Sequence, residues 1–197
     1  MTILNIHGYH GNPKNSAYTA LHEIGCKNII SPSIDYDNEE PGNIMGRLNM
    51  LRVKHKVDLV VGTSLGGFYA SVLSARYHLP VMLVNPCLMP FLLDLLSKFK
   101  IRSLVQLFGE LAKIELTNVS CIVGDADEVL GDHSFTEKLL GNSRFRRIES
   151  GKHSGSTLPL TEYFLEMLHD YTEILPMKDA VSSIPSDIFE GDCYTNI

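Results

Sequence analysis

The stretch VDLVVGTSLGGFYASVLSARY, residues 57–77, joins two periodicities through a turn. Val57–Gly62 is a valine-rich run of strand length, as expected of a parallel strand buried on both faces. Leu65–Tyr77 is apolar, of helical length, and ends before Leu79-Pro80. Between them lies Gly62-Thr63-Ser64-Leu65-Gly66, a Gly-x-Ser-x-Gly pattern in a strand–turn–helix setting. A serine on such a turn is held in strained backbone with its hydroxyl clear of the sheet. The helix that follows aims its free N–H groups and positive dipole end at the same place, where a developing oxyanion is stabilised. Gly62 and Gly66 flank the turn because neighbouring elements press close there and a Cβ would clash.

Outward from this stretch, short apolar runs alternate with longer mixed segments. Thr2–Ile6, Asn28–Pro32, Pro80–Asn85, Val119–Gly124 and Ser143–Glu149 read as further strands, the last alternating like an edge strand with one wet face. Helical spacing falls on Ser16–Ile24, Asn43–His55, Phe91–Leu96, Ser103–Leu116, Asp132–Leu140 and Thr157–Ile174. Strands alternating with helices predict an α/β fold, a mostly parallel sheet with helices on both faces and right-handed crossovers. Residues 1–175 are expected to form the domain. From Pro176 the sequence PMKDAVSSIPSDIFEGDCYTNI loses its period, so 176–197 reads as a C-terminal extension. It lies on the surface, or docks Ile184, Ile188 and Phe189 in an apolar cleft.

Composition removes several classes of function. The 197 residues are 44% hydrophobic and 20% charged, which excludes a disordered chain or a coiled coil. Seventeen Lys and Arg against 23 Asp and Glu give a net charge of −6, with the basic residues scattered, which argues against nucleic acid as a partner. No apolar run reaches a membrane span. The opening MTILNIHG lacks the basic start and long apolar core of a secretory signal. The four cysteines form no Cys-x-x-Cys pair, so neither a zinc site nor a disulfide framework is expected, and the reading is cytoplasmic. No metal or organic cofactor is implied.

A serine hydroxyl needs a base, and the base an orienting acid. In this setting the chain order is Ser, then acid, then His. The fifth strand runs into Gly124-Asp125-Ala126-Asp127-Glu128, the sixth into Gly151-Lys152-His153-Ser154-Gly155. C-terminal strand ends are where an open α/β sheet gathers functional groups. Of eight histidines, His153 is therefore the expected base. His22, His55, His78 and His169 fall in or beside helices, His133 follows Asp132 at a helix start, and His7 and His10 belong to the first loop. The acid is Asp127 or Asp125, since these, Glu128 and Asp132 cannot all face one imidazole. Two oxyanion N–H donors are expected, Leu65 directly after the serine and Tyr9 in the loop His7-Gly8-Tyr9-His10-Gly11.

The opening LNIHGYHGNPKNS, the elbow running on through VMLVNP to Asn85-Pro86, the turn GDADEVL and the loop GKHSG together resemble the small YqiA-like esterases of the α/β-hydrolase superfamily. The resemblance implies a compact six-stranded sheet of order 2-1-3-4-5-6 with a small cap. It implies Ser64 as nucleophile, Asp127 as acid, His153 as base, and Tyr9 and Leu65 as oxyanion donors. The extra Asp125-Ala126 before Asp127 and the tail after Pro176 depart from the pattern.

The expected activity is that of a serine hydrolase cleaving a carboxylic ester or thioester of small-molecule size through an acyl-enzyme. An amidase or peptidase uses the same three residues, and a non-catalytic interaction module on this scaffold is the rival of a different class. The expected cap lies within residues 87–116, where Met89, Phe91, Leu92 and Leu95 either line an acyl pocket or belong to the core.

Overall fold

The structure, a computed structural model, describes residues 1–92 and 98–182. Six strands are present: β1 (Ile3–Ile6), β2 (Ile29–Ile30), β3 (Leu59–Thr63), β4 (Val81–Val84), β5 (Val119–Gly124) and β6 (Arg144–Ile148). They pair in parallel in the order β2-β1-β3-β4-β5-β6, as the family resemblance implies. The helices are α1 (Ser16–Glu23), α2 (Pro41–His55), α3 (Leu65–Tyr77), α4 (Lys98–Phe108), α5 (Ser134–Leu140) and α6 (Leu160–Ser182). Short 3-10 turns follow β4 at Pro90–Leu92, follow α4 at Gly109–Lys113 and precede α6 at Gly155–Thr157.

Strand alternation divides the core. Leu4, Ile6, Val60, Leu83, Cys121 and Val123 pack in one cluster with Ile44 and Leu48 of α2, Phe68 and Leu73 of α3, and Leu104 and Leu107 of α4. The side chains one position along the strands face the other way. Asn5 is one of these, and its amide donates to Asn15 Oδ1 (3.1 Å) and Ser31 Oγ (2.9 Å), which puts the start of α1 on that second face. α3 is buried almost all round, from Leu65 to Ala75, because it lies under α2 and the Gly109–Lys113 turn as well as on the sheet.

Several boundaries differ from those expected, each for a local reason. β2 is two residues long rather than Asn28–Pro32, because it sits at the sheet edge and pairs with β1 alone. α2 starts at Pro41, not Asn43; proline at the first helical position costs no hydrogen bond. The single helix expected over Ser103–Leu116 is α4 followed by a 3-10 turn, the change falling at Gly109. Of Phe91–Leu96, only Phe91 and Leu92 are among the described residues, and they lie in the 3-10 turn. α6 begins one residue after Pro159 and continues across Pro176 to Ser182, past the expected end at Ile174. The chain divides into compact units at Phe164/Leu165, inside α6. Ile184, Ile188 and Phe189 lie outside the described residues. No helix among the described residues is long and apolar enough to cross a membrane.

Candidate active site

β3 ends at Thr63 and α3 begins at Leu65, so Ser64 alone makes the turn. Its backbone sits at φ 52°, ψ −123°, a conformation L residues rarely adopt. Three bonds hold it there. Ser64 N–H donates to Val84 O (3.0 Å), and Ser64 O accepts from Gly67 N–H (2.8 Å) and Cys87 N–H (3.0 Å). The elbow fits only without side chains on its flanks. A Cβ at Gly66 would stand 2.2 Å from Ile6 O, and one at Gly62 would stand 2.6 Å from Ala70 Cβ.

His153 Nε2 lies 3.1 Å from Ser64 Oγ, and His153 Nδ1 lies 2.9 Å from Asp127 Oδ2. With Nδ1 donating to the carboxylate, Nε2 is free to accept the serine proton. Of the two candidate acids, Asp127 is the one on the imidazole. Asp125 instead accepts from Ser150 N–H at 2.6 Å and shapes the turn after β6. Glu128 accepts from the backbone N–H of His153 at 3.1 Å. Burial works against ionisation of Asp127, but hydrogen bonds from His133, His153 and the N–H groups of Leu130 and Val129 outweigh it and hold the carboxyl well below the usual carboxylate range.

Two devices set the spacing of these loops. β5 and β6 end on a glycine contact: a Cβ at Gly124 would lie 2.2 Å from Gly151 O, and Ala126 N–H donates to that same oxygen at 2.9 Å. The fully buried Asn85 then ties β4 to both loops. Its Oδ1 accepts from Gly124 N–H (2.8 Å), and its Nδ2 donates to Lys152 O (2.9 Å) and His153 O (3.0 Å). Asn85 adopts φ 42°, which asparagine tolerates better than most residues. The sequence marks Asn85-Pro86 as distinctive but does not reveal this clamp.

The first loop is equally fixed. His7 is buried, its Nε2 accepting from Ile34 N–H (3.1 Å) and its Nδ1 facing Gly8 O (2.8 Å). Tyr36 O–H donates to His7 O at 2.6 Å. Gly8 packs on Ser64, since a Cβ there would be 2.8 Å from Ser64 Cβ. Tyr9 lines the cavity over Ser64, and its hydroxyl donates to Asp37 at 2.6 Å, which raises the phenol pKa. Leu65 is the first residue of α3, so its N–H has no partner within the helix.

The cavity at Ser64 has a volume near 170 Å³ and is walled by Tyr9, Asn15, Ser16, Ala17, His153 and Gly155 among others. Asn15 and Ser16 stand at the start of α1, where Asn15 caps the helix by accepting from Tyr18 N–H (3.0 Å). A second cavity, near 390 Å³, shares Ser16 and Gly155 with it. Met89, Phe91 and Leu92 do not line the Ser64 cavity. Met89 and Leu92 line a separate one of about 160 Å³ with Val129 and His133, Phe91 packs edge-on against Phe108 (5.2 Å between centroids), and Leu95 lies outside the described residues. The described part of the expected cap likewise contributes nothing to the Ser64 cavity. No cluster of three metal-ligating side chains occurs among the described residues.

Residues 2–119 match the model of the uncharacterised protein family UPF0227. The chain belongs to this family. The family match thus runs from β1 through the elbow to the start of β5, while the acid and base loops lie beyond it. Solved structures with the same fold include Est1E from Butyrivibrio proteoclasticus, 16% identical, covering 85% of this chain and 88% of that one, with a TM-score of 0.64. MGS-MChE2, an alpha/beta hydrolase from a Mar Chica lagoon sediment metagenome, is 14% identical over 89% of this chain and 92% of its own, with a TM-score of 0.58. The esterase domain of a Rhodothermus marinus protein is 15% identical over 82% and 80%, with a TM-score of 0.56. At these identities the likeness is one of fold: the chain has the α/β-hydrolase architecture.

Proposed function

We propose that this UPF0227 member is a serine hydrolase that cleaves a carboxylic ester or thioester of a small molecule. The observation that carries the reading is the continuous chain Ser64 Oγ, His153 Nε2 (3.1 Å), His153 Nδ1, Asp127 Oδ2 (2.9 Å), built on a serine of strained backbone at a helix N-terminus. In this reading Ser64 Oγ attacks the acyl carbon while His153 Nε2 takes its proton. Asp127 holds the imidazole in the required tautomer and stabilises its charged form. The tetrahedral oxyanion rests on the N–H groups of Leu65 and Tyr9. His153 then gives its proton to the leaving alcohol or thiol, the C–O or C–S bond breaks, and an acyl-Ser64 remains. Water, deprotonated by His153, attacks that ester and releases the acid, returning the proton to Ser64. The cavity at Ser64 and the larger one that shares Ser16 and Gly155 with it offer room for the two halves of such a substrate.

Fluorophosphonate labelling read by peptide mapping tests this directly. Labelling confined to Ser64, absent in a folded Ser64→Ala protein, is the expected result, together with loss of ester turnover. Turnover that survives Ser64→Ala refutes the mechanism. Rates on matched ester and anilide substrates then separate an esterase from an amidase.

A further inference from the structure

Asp127 holds more than His153. Its Oδ2 also lies 2.9 Å from Nε2 of His133, a residue six positions along the chain whose side chain is 2% exposed. The other oxygen, Oδ1, accepts from the N–H groups of Val129 (2.9 Å) and Leu130 (2.8 Å). Four donors therefore surround one carboxylate, and two of them are imidazoles on a single oxygen. A buried acid needs this much compensation to remain charged. The arrangement also does something that the backbone bonds do not. Val129 and Leu130 donate to Oδ1 alone. His133, the residue that precedes α5, contacts Oδ2, the same oxygen that meets His153, and adds a side-chain hold to the carboxylate.

We propose that His133 is a positioning residue for the hydrolytic triad: it donates Nε2–H to Asp127 Oδ2 and thereby fixes both the orientation of the acid and the share of its charge that reaches His153. The proposal rests on the serine-hydrolase reading for its consequence in turnover, but not for the hydrogen bond itself. The charged and titratable groups around His133 are Asp127 at hydrogen-bond distance, Asp132 beside it in the chain, the Cys87 thiol lining the same cavity, and the Glu137–Arg147 pair one turn along α5. Burial pushes the Cys87 thiol up to about 12, so it contributes no charge. Asp132 accepts from Ser134 N–H and is held low by that bond. Asp127 is thus the carboxylate that meets the imidazole directly.

The sign of the effect follows from sharing. While two imidazoles divide Oδ2, the imidazolium form of His153 receives only part of its stabilisation. With His133→Leu, His153 becomes the sole imidazole on that oxygen, its charged form gains, and it stays protonated to higher pH. The acid limb of kcat/KM moves upward by roughly half a unit or more. The carboxylate also loses one of the four donors that hold it, so kcat falls by roughly tenfold to a hundredfold with KM nearly unchanged. His133→Gln places an amide N–H near the same point and restores most of both quantities. A purely structural role for His133 lowers the yield of folded protein without moving the acid limb.

The test measures kcat, KM and the pH profile of wild type, H133L and H133Q, with fluorophosphonate labelling of the wild type as the control on the triad. Nitrogen-15 histidine NMR of the wild-type protein accompanies it. The expected spectra show His133 protonated on Nε2 and a His153 Nδ1–H resonance that moves in H133L. An unmoved acid limb in H133L, a Gln variant no better than Leu, or a His133 unprotonated on Nε2 overturns the proposal. If the wild type neither labels nor turns over, the hydrolase reading fails by itself. The NMR arm then still decides the proposal, since an unshifted His153 Nδ1–H in H133L overturns it.

Discussion

Replacing Asn85 should cost more than any exposed polar substitution in this protein, and the amount can be worked from its contacts. The side chain is fully buried and makes three hydrogen bonds, all to backbone groups: Gly124 N–H at the end of β5, and Lys152 O and His153 O in the loop after β6. Asn85→Ala removes the partner of each, leaving one buried and two part-buried groups without it. An unsatisfied buried polar group costs about 1–3 kcal/mol, and partial relaxation puts three of them near 3–4 kcal/mol together. Lys152 O keeps a long contact from Thr157 Oγ1 (3.4 Å), which favours the lower end. The backbone adds to this, because φ is 42° and alanine tolerates that region less well than asparagine, by about 1 kcal/mol. The expected loss is therefore about 4–5 kcal/mol, or roughly 10–20 °C in Tm for a chain of this size. Urea unfolding followed by circular dichroism measures it. Asn85→Gly separates the two contributions, since glycine also loses the hydrogen bonds but carries no backbone penalty, and should be about 1 kcal/mol less damaging than alanine. A loss below about 1 kcal/mol in Asn85→Ala, with an unchanged denaturant slope, would refute the reasoning.

The Asp127 carboxyl is held low in the folded protein, so its contribution to stability is present above the unfolded value near pH 4 and is lost as pH falls toward the folded one. Wild type should lose about 1.4 kcal/mol per pH unit from this group below pH 4; Asp127→Asn should flatten that part of a stability–pH curve measured by urea midpoints, and an unaltered curve would count against it. Gly66→Ala places a Cβ 2.2 Å from Ile6 O and 2.4 Å from His7 O, so β1 and the first loop must shift by nearly an ångström. The expected outcome is a loss of about 2–3 kcal/mol and about a hundredfold in ester turnover, checked by unfolding and kinetics on the purified variant.

Much of this architecture was legible because its signals are local. The valine-rich run before Gly62, the glycines at 62 and 66, and the apolar helix after Leu65 each serve the same turn, and β5 occupies the expected Val119–Gly124. What escaped the sequence depends on contacts distant in the chain or on neighbours in space. His133 reads as a residue at a helix start, and its bond to Asp127 appears only once the loop after β5 has folded back; the one available signal was a histidine shortly after a cluster of acids. Apolar Met89, Phe91 and Leu92 follow β4 and suggest a pocket, but α1 and the His153 loop wall the serine cavity instead, with small polar residues that carry no hydrophobic signal. The choice between Asp125 and Asp127 also rests on space: one carboxylate turns toward Ser150 and the other toward His153.

The glycine contact between Gly124 and Gly151 ties the fate of the site to the rim of the sheet. β6 is one of the two edge strands, half-buried, with a neighbour on one side only. Outer strands are the first to fray on warming, whereas β3 and α3 lie in the interior. Because Gly151 O holds Ala126 N–H and Ile148 O holds Asp125 N–H, a rim that peels away takes the acid turn with it. Heat would then silence this protein by separating His153 and Asp127 from a serine that has not yet moved, so that inactivation precedes melting.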